Sequence, residues 1–213
     1  TVIVALVCLR HGAFAGFLVL LWACLPISVA LYYVGDPSPL IAMVGTFLMA
    51  VMLRQALSWE LVLVASVVLS GVGALIFELT ATDLLARCVE FYIEYLQRVD
   101  ASIALQPDQA LPLLLGFFAS GQAFAMVVML MIARWCQSAL YNPGGFKKEF
   151  RQLLLSPVAS SGIVFAMLVC YMFSEQLGRW LPLLTVPLVF ATLGLVDRKR
   201  AAKGKIVRHG GPR

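Results

Sequence analysis

From Leu111 to Ala133 the chain reads LPLLLGFFASGQAFAMVVMLMIA, without one charged side chain. A hydrocarbon layer about 30 Å thick takes roughly 20 such residues as a single helix. Inside lipid, main-chain N–H and C=O groups must pair within their own segment or in a closed barrel. Barrel strands alternate apolar and polar residues, and this run is apolar on every side. It is therefore expected to be a membrane-spanning helix, and the remaining segments are read relative to it.

Composition agrees. The chain is 62% hydrophobic and 13% charged, against about half and a quarter in soluble domains. A soluble fold of 213 residues could not cover so much apolar surface. Further apolar segments lie at 13–34, 40–53, 61–79, 158–173 and 180–196. The first of these holds Trp22 and Pro26 and ends in Tyr32-Tyr33, aromatics that favour the membrane interface. A Gly-Asp-Pro-Ser-Pro turn follows at 35–39. The 40–53 segment is short for a span unless the helix extends at its ends and Arg54 snorkels. The 61–79 segment is rich in small residues (Ser66, Ser70, Gly71, Gly73, Ala74), which let helices approach closely in lipid. The run at 1–9 is too short to span and carries no positive charge ahead of it, unlike a signal peptide. It is read as the end of a helix that starts upstream. The expected fold is an all-α integral membrane protein: one polytopic helical bundle of six to seven transmembrane segments over 1–196, followed by a basic tail at 197–213.

Residues 83–106 break the pattern. Leu85, Val89, Tyr92, Leu96, Val99 and Ile103 recur at helical spacing, with Arg87, Glu90, Glu94, Arg98 and Asp100 mostly between them. This predicts an amphipathic helix. Both charge signs are present, so it differs from a basic lipid-binding helix and is expected to pack on the outer ends of the bundle or on a partner.

Orientation follows from the cations. Of sixteen Lys and Arg, thirteen fall on junctions that alternate to one side: Arg10, Arg54, four in the 134–151 turn and seven in the tail. Arg87, Arg98 and Arg179 fall on the other. The positive-inside rule puts the turn and tail in the cytoplasm and the 83–108 region outside. The net charge of +5 thus reflects membrane topology, and nucleic acid is not an expected partner.

Two groups of residues are candidates for function. Glu78, near the outer end of the 61–79 segment, together with Ser120 and Gln122 within 111–132, could line a pocket. Intramembrane carboxylates are costly and often functional. The alternative is that Glu78 reaches water at the end of its run and that Ser120 and Gln122 bond to a neighbouring helix. The second group is the turn: Arg134, Trp135, Asn142, Pro143, Gly144, Gly145, Phe146, Lys147, Lys148, Phe150 and Arg151. Asn-Pro-Gly-Gly stops a helix because Pro lacks an N–H and Gly takes left-handed geometry cheaply. Over 142–157 the pattern thus predicts this turn and then an interfacial helix, with Phe146, Phe150, Leu153 and Leu154 on one face and snorkelling cations elsewhere. A docking helix for a cytoplasmic partner is the alternative.

The five cysteines have no CxxC spacing and no histidine companions, so they read as packing residues, with no metal or disulfide framework. His11 and His209 stand alone. A Gly12–Gly16 GxxxG spacing at a span's end is a weak dimerisation signal. With no phosphate loop, no HExxH and no paired carboxylates, neither catalysis nor a cofactor is expected.

The run ARWCQSALYNPGGFKKEF at 133–150 resembles the signature of the YybS-like family of bacterial multi-pass inner-membrane proteins of unknown function. The hydropathy pattern is similar over most of the chain. That family is grouped by remote similarity with the S components of energy-coupling-factor vitamin transporters. The resemblance implies a small inner-membrane bundle with a central pocket opening outward, and it carries over no functional residues. The chain departs from the family in lacking its first helix and in ending on a basic tail. The expected function is a small-molecule binding or transport subunit, with its pocket between the 40–53, 61–79 and 111–132 segments. The rival is an accessory subunit that docks into a larger membrane complex. Expected partners are the lipid bilayer, a membrane protein or a second copy, and an unidentified small molecule.

Overall fold

The computed structural model describes residues 1–99, 106–141, 145–150 and 153–209. Every regular element among them is helical. In chain order these are α1 (Val2–His11), α2 (Ala13–Val34), α3 (Ser38–Ala56), α4 (Trp59–Thr80), α5 (Thr82–Val99), α6 (Pro107–Tyr141), α7 (Gly145–Phe150), α8 (Pro157–Met172), α9 (Ser174–Leu177) and α10 (Leu181–His209), with a 3-10 turn at Gly178–Trp180 before the last. Five helical stretches are long and apolar enough to cross a membrane: α2, α3, α4, α6 and the 174–200 stretch. Helices α1 and α8 are apolar but shorter. This is a membrane-embedded helical bundle.

Local signals set the helix ends. Gly35 takes the left-handed conformation (φ +74°) that closes α2. The Asp36 carboxylate then accepts the Ser38 main-chain N–H at 2.9 Å, satisfying a donor at the open start of α3. The 40–53 segment does extend at both ends, giving α3 nineteen residues. Ser156 caps α8, its hydroxyl accepting the Ala159 N–H at 3.1 Å.

Helix α6 is the hub and touches α1, α3, α4, α5, α7 and α10. Ala110, Ala119, Ala123 and Ala133 on it are fully buried, as are Leu115, Met126, Val127 and Leu130. Alanine faces let neighbouring backbones come close, the main source of helix association where lipid removes the hydrophobic drive. Phe77 of α4 stacks on Phe118 of α6 with ring centroids 4.3 Å apart. Phe124 of α6 stacks on Phe190 of α10 at 5.1 Å.

The bundle has two ends. The α5 end gathers the 35–37 turn, the start of α5 and the 178–180 turn, where Glu78 meets Arg179. The Arg134 end gathers the C-termini of α1 and α3, the start of α4 and the segment before α8. Helix α8 runs from Ser156, bonded to Glu60 at the Arg134 end, towards Arg179 at the α5 end.

Helix α5 follows its predicted stripe over its first turns, while Tyr92 and Leu96 are half-buried and Val99 is exposed. Leu85 and Val89 are buried against the bundle, while the polar arc of Asp83, Arg87, Glu90, Glu94 and Arg98 is exposed. Residues 100–105 lie outside the described set, so Asp100 and Ile103 are not placed. Of the turn and interfacial helix expected over 142–157, 142–144 and 151–152 lie outside the described residues, α7 covers Gly145–Phe150, and 153–156 is irregular. The reason is packing. Leu153 is fully buried, and its carbonyl lies against Gly194 of α10, so the segment turns inward. Helix α10 continues without a break from the apolar segment through Asp197 to His209.

A Cβ added at Gly194 would stand 2.5 Å from the Leu153 carbonyl oxygen and 3.1 Å from that of Phe150. Both obstacles are backbone and cannot rotate away. Gly194→Ala is therefore expected to lower stability by about 1–3 kcal/mol through overpacking. Gly121→Ala, where nothing lies within 4 Å, should instead stabilise by roughly 0.5–1 kcal/mol. Paired thermal unfolding in detergent checks the contrast.

Candidate functional site

The residues expected to line a pocket are held by other bonds. The Gln122 side-chain amide, buried on α6, donates to the Ser38 carbonyl at 3.1 Å and ties α6 to the start of α3. The Ser120 hydroxyl donates to the Phe117 carbonyl of its own helix at 2.9 Å. Glu78 pairs with Arg179 at 3.4 Å, each side chain about a quarter to a third exposed. The Arg179 guanidinium also lies 5.0 Å from the Trp180 ring centre, a cation–π distance. Glu78, Ser120 and Gln122 are not among the residues that line the cavities described below.

The open volume lies next to them. Helix α2 buries only Gly16 and Leu20. Beyond Pro26, only Ile27 and Leu31 of this helix are partly covered. Its second half therefore packs along one narrow edge. This leaves a groove of about 400 Å³ floored by Ile41, Val44 and Leu48 of α3 and Leu69, Val72 and Ile76 of α4, with Leu31 as one wall. Thr80 is the only hydroxyl among its lining residues. The same Thr80 lines a second cavity of about 330 Å³ at the α5 end, formed by Tyr32, Tyr33 and residues 80–84, with Asp83 and Arg87. The two meet where α2 and α4 end. Together they offer a greasy slot leading to a polar vestibule with two phenols, one carboxylate and one guanidinium.

The Arg134 end is a second polar site. The Arg134 guanidinium grips Glu149 of α7 through two parallel bonds, Nε to Oε2 at 2.8 Å and Nη2 to Oε1 at 2.6 Å. Its Nη1 donates to the Gln137 Oε1 at 2.7 Å. The Phe146 N–H donates to the Ser138 hydroxyl at 2.9 Å, and the Phe146 ring packs against the core. These contacts fold α7 back as a strap across the end of the bundle, with Phe146 and Phe150 rings 5.9 Å apart. Trp135 and Lys147 are exposed. Gly145 opens α7, and Lys148 lies within it. Asn142, Pro143, Gly144 and Arg151 lie outside the described residues.

Beneath the strap is a cavity of about 240 Å³ lined by Leu9, Leu53, Arg54, Leu57, Trp59, Arg134 and Glu149. Arg54 donates from Nη1 to the carbonyls of Cys8 and Leu9 at 3.0 and 3.1 Å, closing the C-terminal end of α1. A guanidinium there also complements the negative end of the helix dipole. Glu60 accepts from the Ser156 hydroxyl at 2.6 Å and from its N–H at 3.3 Å. Glu149, Glu60, Ser156 and the cavity role of Arg54 escape sequence reading. Their partners are 15 to 96 residues away, and no local periodicity marks them.

A bidentate, partly buried pair should couple more strongly than a solvated one. A double-mutant cycle on Arg134→Gln and Glu149→Gln is expected to give a coupling of about 0.5–3 kcal/mol. The exposed Glu94–Arg98 pair on α5 should give a coupling too small to measure. Loss of the Arg134 pair should also speed tryptic cleavage at Lys147.

Comparison with known proteins adds no relative: no family model, no curated protein and no solved structure matches this chain.

Proposed function

We propose that this chain is a non-catalytic, multi-pass protein of the bacterial inner membrane that binds a small amphiphilic molecule entering sideways from the bilayer. One observation carries the reading: the apolar groove between α2, α3 and α4 runs into the polar vestibule at Thr80. An amphiphile has that same division, with hydrocarbon on one side and polar atoms on the other. Ligand pockets in proteins are mostly apolar with a few placed polar groups. Transport of such a molecule as an S-component-type subunit is the form that the YybS-like resemblance implies. The accessory-subunit reading has narrower support, from the exposed aromatic edge of α5 at Phe91 and Tyr95.

The proposed topology has α2, α3, α4, α6, α8 and α10 crossing, with α1 inserted beside them. The Arg134 end and the tail are cytoplasmic, and α5 lies on the outer surface. Support comes from the cations. Arg10, Arg54, Arg134 and Lys147 lie at one end, where α10 also carries its cations outward, and Arg87, Arg98 and Arg179 at the other. The positive-inside rule supports placing the richer end inside.

The chain carries its own topology reporters: Cys88 is exposed on α5, and Cys136 is partly exposed near the strap. An impermeant maleimide is expected to label Cys88 in spheroplasts and Cys136 only in inverted vesicles. The reverse pattern would invert the topology.

For the ligand, the protein extracted from its native membrane in mild detergent should show a stoichiometric small-molecule adduct by native mass spectrometry. Val44→Trp and Val72→Trp, which fill the groove, should remove it while leaving thermal stability within a few degrees. Protein that carries no adduct, or variants that retain it in full, would refute the binding reading.

A further inference from the structure

The cavity at the Arg134 end has an uncompensated charge. It is lined by two guanidinium groups and one carboxylate, which leaves one net positive charge. Arg134 and Glu149 neutralise each other through their paired bonds. Arg54 has no carboxylate partner among the described residues. Its Nη1 is held by two main-chain carbonyls of α1, while its Nε and Nη2 make no hydrogen bond among the described residues. The guanidinium is thus fixed in place with donors still open, an arrangement suited to an oxyanion.

Leu57 supplies an independent observation at the same cavity. It ends α3 with φ +50°, and is the only non-glycine residue with positive φ among the described residues. Left-handed backbone costs about 1–2 kcal/mol for a side chain of this kind, and a helix usually ends there on Gly or Asn. Leu57 is nevertheless 77% exposed, three residues from Arg54. A strained, exposed leucine beside an open guanidinium joins an apolar contact to an anionic one. The buried Trp59 ring forms the adjoining wall.

We propose that this cavity holds the phosphodiester of an anionic phospholipid, with the phosphate oxygens on Arg54 Nε and Nη2 and an acyl chain against Leu57. One net negative headgroup matches the one unmatched positive charge. In the topology proposed above these helix ends reach the cytoplasmic headgroup layer, and basic pockets between transmembrane helices take such groups. The site is at the opposite end from the groove and does not depend on what the groove binds.

The test is native mass spectrometry and thermal unfolding of the whole protein, delipidated in detergent and then given phosphatidylglycerol, phosphatidylcholine of the same chains, or inorganic phosphate. The expected result is one retained phosphatidylglycerol and a raised melting temperature, with little response to the other two. Arg54→Gln keeps an amide donor for the α1 carbonyls but removes the charge. It should lower phosphatidylglycerol occupancy by about tenfold, the loss of one charge-assisted contact. Leu57→Asn suits the left-handed backbone, so the fold should survive, and it should weaken lipid retention without altering the charge. Equal retention of the zwitterionic lipid, or full retention in both variants, would overturn the proposal. A shift with inorganic phosphate as large as that with the lipid would overturn the lipid assignment.

Discussion

The bundle depends on α6 being narrow where its neighbours press against it. Water supplies no drive to bring helices together in a bilayer, so close contact and a few polar bonds must do so. Four fully buried alanines on α6 allow α1, α3, α4 and α10 to share it. Three polar bonds lie at helix ends: Glu78 to Arg179, Arg134 to Glu149 and Glu60 to Ser156. A fourth ties Gln122, within α6, to Ser38 at the start of α3, and such pairing offsets the cost of placing polar groups in or beside hydrocarbon.

The two open regions follow from where this packing stops. Helix α2 meets α1 closely at Gly16 and Cys8, and the groove lies beyond Pro26, where only Ile27 and Leu31 of α2 are partly covered. The strap at the other end is drawn in by Leu153 and Gly194, and the cavity beneath it is what the short α7 does not fill. Neither region is a gap in the core, which is filled by fully buried Met43, Met49, Leu63 and Met126.

Much of the architecture was legible in the sequence because lipid makes it a local property. Apolar runs of span length, the amphipathic stripe through Leu85 and Val89, and the Gly35–Asp36 punctuation each act within a few residues. The candidate site was less legible. Gln122 could be singled out as a polar residue within a span, but its bond to Ser38 spans 84 positions and depends on α3 lying beside α6. Arg134 was visible as a basic flank, yet nothing near it in sequence names Glu149 as its partner over the other charges of the turn. The groove could not be read at all, since it arises from how narrowly α2 packs beyond Pro26 rather than from any residue type.

Helix α6 has thirty-five residues, about 52 Å at 1.5 Å per residue, against a hydrocarbon layer of about 30 Å. It projects into both aqueous boundaries, bearing the docked base of α5 on one and the clasp to α7 on the other. A helix that long exceeds the layer it crosses by about 20 Å, so one continuous rod can hold an amphipathic helix at one of its ends and a charged strap at the other.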